Sequence, residues 1–188
     1  MIKLIGQNKI KTAVFISGAG SNLKNLIKFS KKKNSPIEIN LILSSTNKAK
    51  GLKYSKLFKI EKKISNSEKK ILSILSKKNI NFICLAGYMK ILSKKFIKKF
   101  KGKIINIHPS LLPKYKGLNT HQRVINNKEQ YSGCTVHYVS PKLDSGKIIL
   151  QKKIKIKNLD TFKTLQKKIL KQEYKLYPAA IKKIFFNL

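Results

Sequence analysis

Arginine is nearly missing from this chain of 188 residues: Arg123 is the single one among 43 basic residues. Proteins that read nucleic-acid sequence lean on arginine, whose planar fork grips guanine edges and phosphates in pairs. Its scarcity, with lysines spread from Lys3 to Lys183 in no single arm or stripe, argues against a specific nucleic-acid partner. Acidic residues are few as well, seven in all, and the formal net charge is +36. Asparagine and isoleucine abound beside lysine, and the three share A/T-rich codons, so the charge reads as biased codon usage filling solvated positions. A field of that sign still speeds the capture of anionic small molecules and attracts nucleic acid non-specifically.

Cysteine is equally scarce. Cys84 and Cys134 lie fifty residues apart in apolar, strand-like runs, a spacing that matches neither a redox pair nor a zinc site. They read as buried and reduced, which points to a cytoplasmic setting. No run of about 18 apolar residues occurs, so no membrane span is expected. Residues 1–11 lack the apolar stretch of a signal peptide. There is no repeat, no Gly/Ser linker and no low-complexity tail. With 41% hydrophobic residues, a single domain over 1–188 can bury a core. No two histidines are spaced to share a metal with a third ligand, so no metal is expected.

What is present is a regular alternation of strand-like and helical segments. Residues 12–16 form a short apolar run, broken by Ser17-Gly18-Ala19-Gly20-Ser21-Asn22. A helical pattern follows, with Leu23, Leu26, Ile27 and Phe29 on one side. Residues 37–43 read as a strand, 50–58 as a short helix, and 67–78 as a helix with Ile71, Leu72 and Leu75 at helical spacing. Residues 81–87 read as a strand buried on both faces. Ser93 can cap a helix carrying Phe96, Ile97 and Phe100. Residues 104–107 form another buried strand ending at His108-Pro109, and a loop marked by proline and glycine covers 109–119. Further strands are expected at 134–139 and 148–156, and Asp160 is expected to cap a long last helix reaching towards Leu188. The alternation predicts an α/β fold, a mostly parallel twisted sheet with helices on both faces. Ligands bind such sheets at the carboxyl ends of strands, which directs attention to the Gly18 loop, to Met89 onwards and to Asn106 onwards.

Three segments there can carry chemistry. In Gly18-Ala19-Gly20-Ser21-Asn22 the glycines allow close backbone approach, and the helix start offers N–H groups and a positive end to phosphate. The same residues also read as a tight turn with Ser21 or Asn22 as an N-cap. The third glycine of a dinucleotide fingerprint is missing, so neither nicotinamide nor flavin is expected. Asn106 and His108, two apart on an extended strand, point to the same side. An amide donor beside an imidazole can hold an oxyanion and move a proton, although a histidine near a turn also serves structure. Asp144, in Lys142-Leu143-Asp144-Ser145-Gly146, reads alone as a turn residue. Near His108 it would orient the ring and favour its protonated form. His137 could face the pocket or the core, and His121, at the start of a helix, reads as solvated or capping.

Together these segments resemble the glycinamide ribonucleotide formyltransferase family, over nearly the whole chain and in order. The resemblance is carried by Ile16-Ser17-Gly18-Ala19-Gly20-Ser21-Asn22-Leu23, then Leu85-Ala86-Gly87-Tyr88-Met89-Lys90-Ile91-Leu92, then Ile105-Asn106-Ile107-His108-Pro109-Ser110-Leu111-Leu112-Pro113-Lys114-Tyr115. Gly117, Thr120-His121, Gly133, Thr135-Val136-His137 and Leu143-Asp144-Ser145-Gly146 continue it. It implies a single-domain, Rossmann-like fold that transfers a formyl group from 10-formyltetrahydrofolate to the amine of 5'-phosphoribosylglycinamide in de novo purine (IMP) biosynthesis. It implies Asn106, His108 and Asp144 as a catalytic trio. The Gly20-Ser21-Asn22 loop would hold the nucleotide phosphate and Glu173 the ribose hydroxyls. Met89, Lys90, Ile91 and Leu92, with Asn106 and the backbone of residues 139–144, would surround the folate. Anionic small molecules, a monomer or homodimer, and no metal or membrane complete the expectation.

The sequence also departs from the family. Ala19 stands where members commonly have Asn. No arginine is visible on the folate side after the third strand, where Lys69 or Lys70 is expected to replace it. Members often extend past the last helix, whereas this sequence stops at Leu188. A methionyl-tRNA formyltransferase would carry a further C-terminal domain. Formyltetrahydrofolate deformylase, which carries an extra N-terminal domain, is one alternative reading, and a lysine-rich nucleic-acid-binding protein is another. The intact trio argues against a pure binder.

Overall fold

The structure, a computed structural model, describes residues 9–186. The reading against a signal peptide falls largely on residues outside that range, as does the end of the last helix near Leu188.

Strand β1 (Ile10–Ile16) sends alternate side chains to opposite faces, as a pleated chain must. Ala13 and Phe15 enter one core, Val14 and Ile16 the other, and all four are fully buried. Each large apolar side chain removed from water in this way stabilises the fold by roughly 1.5–3 kcal/mol. Around β1 grows a seven-stranded sheet of order β3-β2-β1-β4-β5-β6-β7. Strands β2 (Ile37–Ser44), β3 (Glu61–Ile64), β4 (Phe82–Leu85) and β5 (Lys103–His108) join β1 in parallel pairings. Strands β6 (Tyr131–Tyr138) and β7 (Ile148–Lys155) add antiparallel pairings.

Helices α1 (Ser21–Ser30), α5 (Thr120–Asn126) and α6 (Phe162–Phe186) cover one face through Leu23, Val124 and Leu165. Helices α3 (Glu68–Lys77) and α4 (Lys94–Lys99) cover the other through Ile71, Leu75 and Phe96. The mostly parallel sheet with helices on both faces is thus the observed architecture. Because β2 and β3 extend from one side of β1 and β4 and β5 from the other, the strand order reverses between β1 and β4. Such a switch point opens a crevice at the carboxyl ends of the strands. The loops on its two sides are tied together: Ser17 N–H donates to Gly87 O at 3.0 Å, and Met89 N–H donates to Ser17 Oγ at 2.9 Å. Tyr177 of α6, fully buried, donates its hydroxyl to Leu85 O at 2.9 Å beneath the same region.

Two local expectations are corrected, and one strand went unread. Strand β3 went unread because all four of its residues are exposed and three are charged, leaving no apolar alternation. A charged edge of this kind discourages pairing with another sheet. The helix expected over 50–58 is a 3-10 turn, Lys50–Leu52, followed by α2, Lys53–Phe58. The last helix is capped by Thr161, whose Oγ1 accepts from Thr164 N–H at 3.2 Å. Asp160 stands one residue too early to cap and takes the Lys157 N–H and the Lys168 ammonium instead. Ser93 does cap α4, accepting from Phe96 N–H at 3.0 Å.

Candidate active site

Strand β5 ends at the carboxyl edge of the sheet, and the alternation of an extended chain puts Asn106 and His108 on one side. Both line a cavity of about 860 Å³ there, with His137 and Asp144. The antiparallel register of β6 sets His137 opposite Asn106. Asn106 Nδ2 lies 3.2 Å from His137 Nε2. Asp144 arrives from the loop between β6 and β7. Its Oδ2 is 3.4 Å from His108 Nδ1, and its Oδ1 is 3.7 Å from His137 Nε2. One carboxylate therefore spans two imidazoles, and the three residues expected to act together meet in space.

Hydrogen-bond partners decide most of the ring chemistry. His137 Nδ1 is 2.8 Å from Tyr138 O, so that nitrogen carries the proton and Nε2 accepts from Asn106. Burial holds the His137 pKa below its ordinary value, the Tyr138 carbonyl and Asp144 opposing only in part. His108 Nε2 donates to Tyr115 O at 2.8 Å. Its Nδ1 faces Asp144 Oδ2 at a distance long for a hydrogen bond. Both nitrogens of His108 face oxygen acceptors, and both donate only in the doubly protonated ring.

His121 corrects its expectation. It lines the same cavity, half-buried, and its Nδ1 is buried without a hydrogen-bond partner. Burial first, and neighbouring His108 second, hold its pKa below the ordinary histidine value. The N-cap position of α5 belongs to Asn119, in a left-handed conformation, and not to His121.

The glycine loop after β1 is capped by position alone. Gly20, at φ 74°, is the N-cap of α1 with no side-chain bond, so neither Ser21 nor Asn22 acts as the cap. The helix start thus keeps its N–H groups and positive end for an anion. Glycine is required here, since a Cβ on Gly20 would stand 2.7 Å from Gly51 Cα. Ala19 is exposed beside it. Asn22 turns inward: its Nδ2 donates to Glu173 Oε2 at 2.7 Å, while its Oδ1 is buried without a partner. Burial pushes the Glu173 carboxyl up, and the Asn22 amide offsets this only partly. The bond between Asn22 and Glu173 ties this loop to α6, and Gly20, Ser21, Asn22 and Glu173 do not line the cavity that holds Asn106, His108 and Asp144.

Met89, Lys90, Ile91 and Leu92, following β4, do line that cavity. Met89 is 63% exposed and Ile91 70%, and Leu118, Leu143 and Phe162 add further exposed apolar surface to the wall. Clustered apolar exposure of this kind marks a ligand groove. Val139 and Ser140 line it as well, so the expected folate residues are brought together. Lys69 and Lys70 are not among them. Lys69 lines a separate cleft between α3 and α4, and Lys90 is the only lysine lining this cavity among the described residues. Cys84 and Cys134 are free and buried, and burial pushes both thiols up. Among the described residues no group of three or more His, Cys, Asp or Glu side chains is arranged to hold a metal ion. Sequence reasoning left His137 open, read His121 as solvated or capping and passed over Phe162, because only the fold carries them to this cavity.

Residues 10–181 match the formyl transferase family. The chain belongs to that family. Phosphoribosylglycinamide formyltransferase of Haemophilus influenzae is 41% identical over 181 residues, 92% of this formyltransferase chain and 85% of that protein. The human trifunctional purine biosynthetic protein adenosine-3 is 38% identical over 184 residues, but this chain spans only 18% of its length. The Gallus gallus protein of that name, 39% identical, is likewise spanned over 18% of its length. The crystal structure of phosphoribosylglycinamide formyltransferase from Anaplasma phagocytophilum matches at a TM-score of 0.90 and 36% identity, over 94% of this chain and 87% of that one.

Proposed function

We propose that this formyltransferase moves the formyl group of 10-formyltetrahydrofolate to the amine of 5'-phosphoribosylglycinamide, a step of purine biosynthesis leading to IMP. The observation that carries the reading is the meeting of Asn106, His108 and Asp144 at one cavity, with His108 Nδ1 3.4 Å from the Asp144 carboxylate. The near-full coverage of the Haemophilus influenzae relative supports the same substrates.

The amine nitrogen attacks the formyl carbon and forms the new C–N bond, and negative charge gathers on the formyl oxygen. Asn106 keeps one amide N–H beyond the one given to His137, and His108 Nδ1–H stands beside it. These two donors stabilise the oxyanion. Collapse breaks the bond to the folate nitrogen. The proton lost by the amine passes to that nitrogen through water organised by Asp144. Donors fixed where charge develops contribute on the order of 100-fold or more each to turnover. The open start of α1 at Gly20, Ser21 and Asn22 holds the phosphate, and Glu173 holds the ribose hydroxyls. Met89 to Leu92, with the apolar wall opposite, hold the folate. The +36 charge draws in both anionic substrates. A cytoplasmic location and a monomeric or dimeric state belong to the same reading. Among the described residues no helix is long and apolar enough to cross a membrane.

The test is formyl transfer from 10-formyltetrahydrofolate to the nucleotide, followed by absorbance, with His108→Ala alongside. The expected result is turnover by the wild type alone. Folate consumption without the nucleotide would replace this reading by hydrolysis of the formyl-folate, and equal turnover by His108→Ala would remove the residue from the mechanism.

A further inference from the structure

Arg123 is the single arginine among 43 basic residues. It stands on α5, and its Nη1 donates to Lys116 O at 2.7 Å and reaches Leu118 O at 3.5 Å. Its guanidinium lies over the Tyr115 ring, 5.3 Å from the centroid. The segment it grips is irregular: Tyr115, Gly117 and Asn119 adopt left-handed conformations at φ 58°, 78° and 54°. Alternation of that kind prevents a helical or strand-like bond pattern, so the carbonyls of residues 115–118 need partners elsewhere.

The same segment touches the catalytic pair twice. Tyr115 O accepts from His108 Nε2 at 2.8 Å, and Gly117 N–H donates to Asp144 Oδ2 at 2.9 Å. Lys116 O and Gly117 N belong to one peptide unit. Its carbonyl edge faces the guanidinium and its amide edge faces the carboxylate, so a single planar group joins Arg123 to Asp144. The glycine makes the direction of that unit fragile. A flip needs only the ψ of Lys116 and the φ of Gly117 to change, and glycine adopts either sign of φ about as readily. A flipped unit would turn an oxygen towards the Asp144 carboxylate. A cation on the Lys116 carbonyl opposes the flip, and hydrogen bonds in series polarise one another in the same sense. Lysine offers a point charge without the planar fork or the stack on Tyr115.

We propose that Arg123 is a positioning residue, locking the 116–117 peptide so that its N–H holds Asp144 against His108. The proposal rests on the formyl-transfer reading above. Arg123→Lys keeps the charge and separates geometry from electrostatics. Its kcat is expected to fall on the order of 10- to 100-fold with the nucleotide KM nearly unchanged, because the loss is of alignment rather than of binding. Amide exchange at Gly117 should accelerate in the same variant at an unaltered melting temperature. Millimolar guanidinium should restore part of the turnover of Arg123→Ala and none of that of His108→Ala. Wild-type kcat in Arg123→Lys, or unchanged Gly117 exchange, overturns the proposal. Should the wild type transfer no formyl group, the functional reading fails, and the Gly117 exchange still decides whether Arg123 locks the peptide.

Discussion

Asn106 and His137 stand opposite each other across the β5–β6 ladder, with the Asn106 amide 3.2 Å from His137 Nε2. The pair leaves His137 with no role as an acid, because its Nδ1–H is spent on Tyr138 O. Its Nε2 is left to accept from the Asn106 amide and fix the direction of that side chain.

That relationship predicts acid sensitivity. Burial lowers the His137 pKa, so between its folded value and the unfolded value the unfolded chain binds more protons. The stabilising contribution is complete above the ordinary histidine value of about 6.5 and declines as pH falls through the folded value. Protonated Nε2 would also confront the Asn106 amide with a second donor. Turnover and melting temperature are both expected to fall on acidification. His121 contributes with the same sign. His137→Gln should remove part of the decline in melting temperature, and adding His121→Gln should remove more. An identical pH slope in the double variant would assign the decline to other groups.

Glu173 has the opposite sign. Its carboxyl is pushed up by burial, so its contribution to stability is full below the ordinary carboxylate range and is lost as pH rises through the folded value. Glu173→Gln is expected to melt at or above the wild-type temperature at about pH 8, above the range of an ordinary carboxylate. The nucleotide KM should rise about ten-fold, as a charge-assisted bond to a ribose hydroxyl becomes a neutral one. A wild-type KM would take Glu173 out of the nucleotide site.

Two glycines of one loop should behave differently. Gly20→Ala puts a side chain at φ 74° and a Cβ 2.7 Å from Gly51 Cα. Strain of this kind costs roughly 1–3 kcal/mol, which lowers the melting temperature by roughly 2–12 °C in a chain of this size. Nothing lies within 4 Å of a Cβ built on Gly18, so Gly18→Ala should melt near the wild type. Equal thermal melts for the two variants would contradict the close approach of Gly20 and Gly51.

The charge balance sets a further expectation. With seven acidic residues against 43 basic ones, self-repulsion destabilises the compact state. Raising ionic strength shortens the screening length from about 30 Å at 0.01 M to about 8 Å at 0.15 M. The melting temperature should rise over that range, and inorganic phosphate at equal ionic strength should add to the rise. A melting temperature indifferent to both would show that the lysines lie too far apart in solvent to matter.

Much of the site was legible because its parts are local. Period-two alternation put Asn106 and His108 on one side of β5, and the glycines marked the loop before α1. Charged β3 was invisible because an exposed strand shows no burial pattern. That Lys69 lines a cleft between α3 and α4 was not legible, because helical spacing gives a position on α3 but not what that face meets. His121 was read as solvated because its place at a helix start does not say what that turn of α5 packs against.

The amino-acid sequence by itself determined where most of the chain is strand or helix, β3 excepted, which side chains seek the core, and the residue types available for chemistry. Those properties follow from periodicity over a few residues. Only the tertiary structure decided that Asp144 spans His108 and His137, that His137 faces Asn106, and that one peptide links Arg123 to Asp144. These depend on strand order and register between segments distant in the chain, which arise from packing the whole sheet rather than from any local stretch of it.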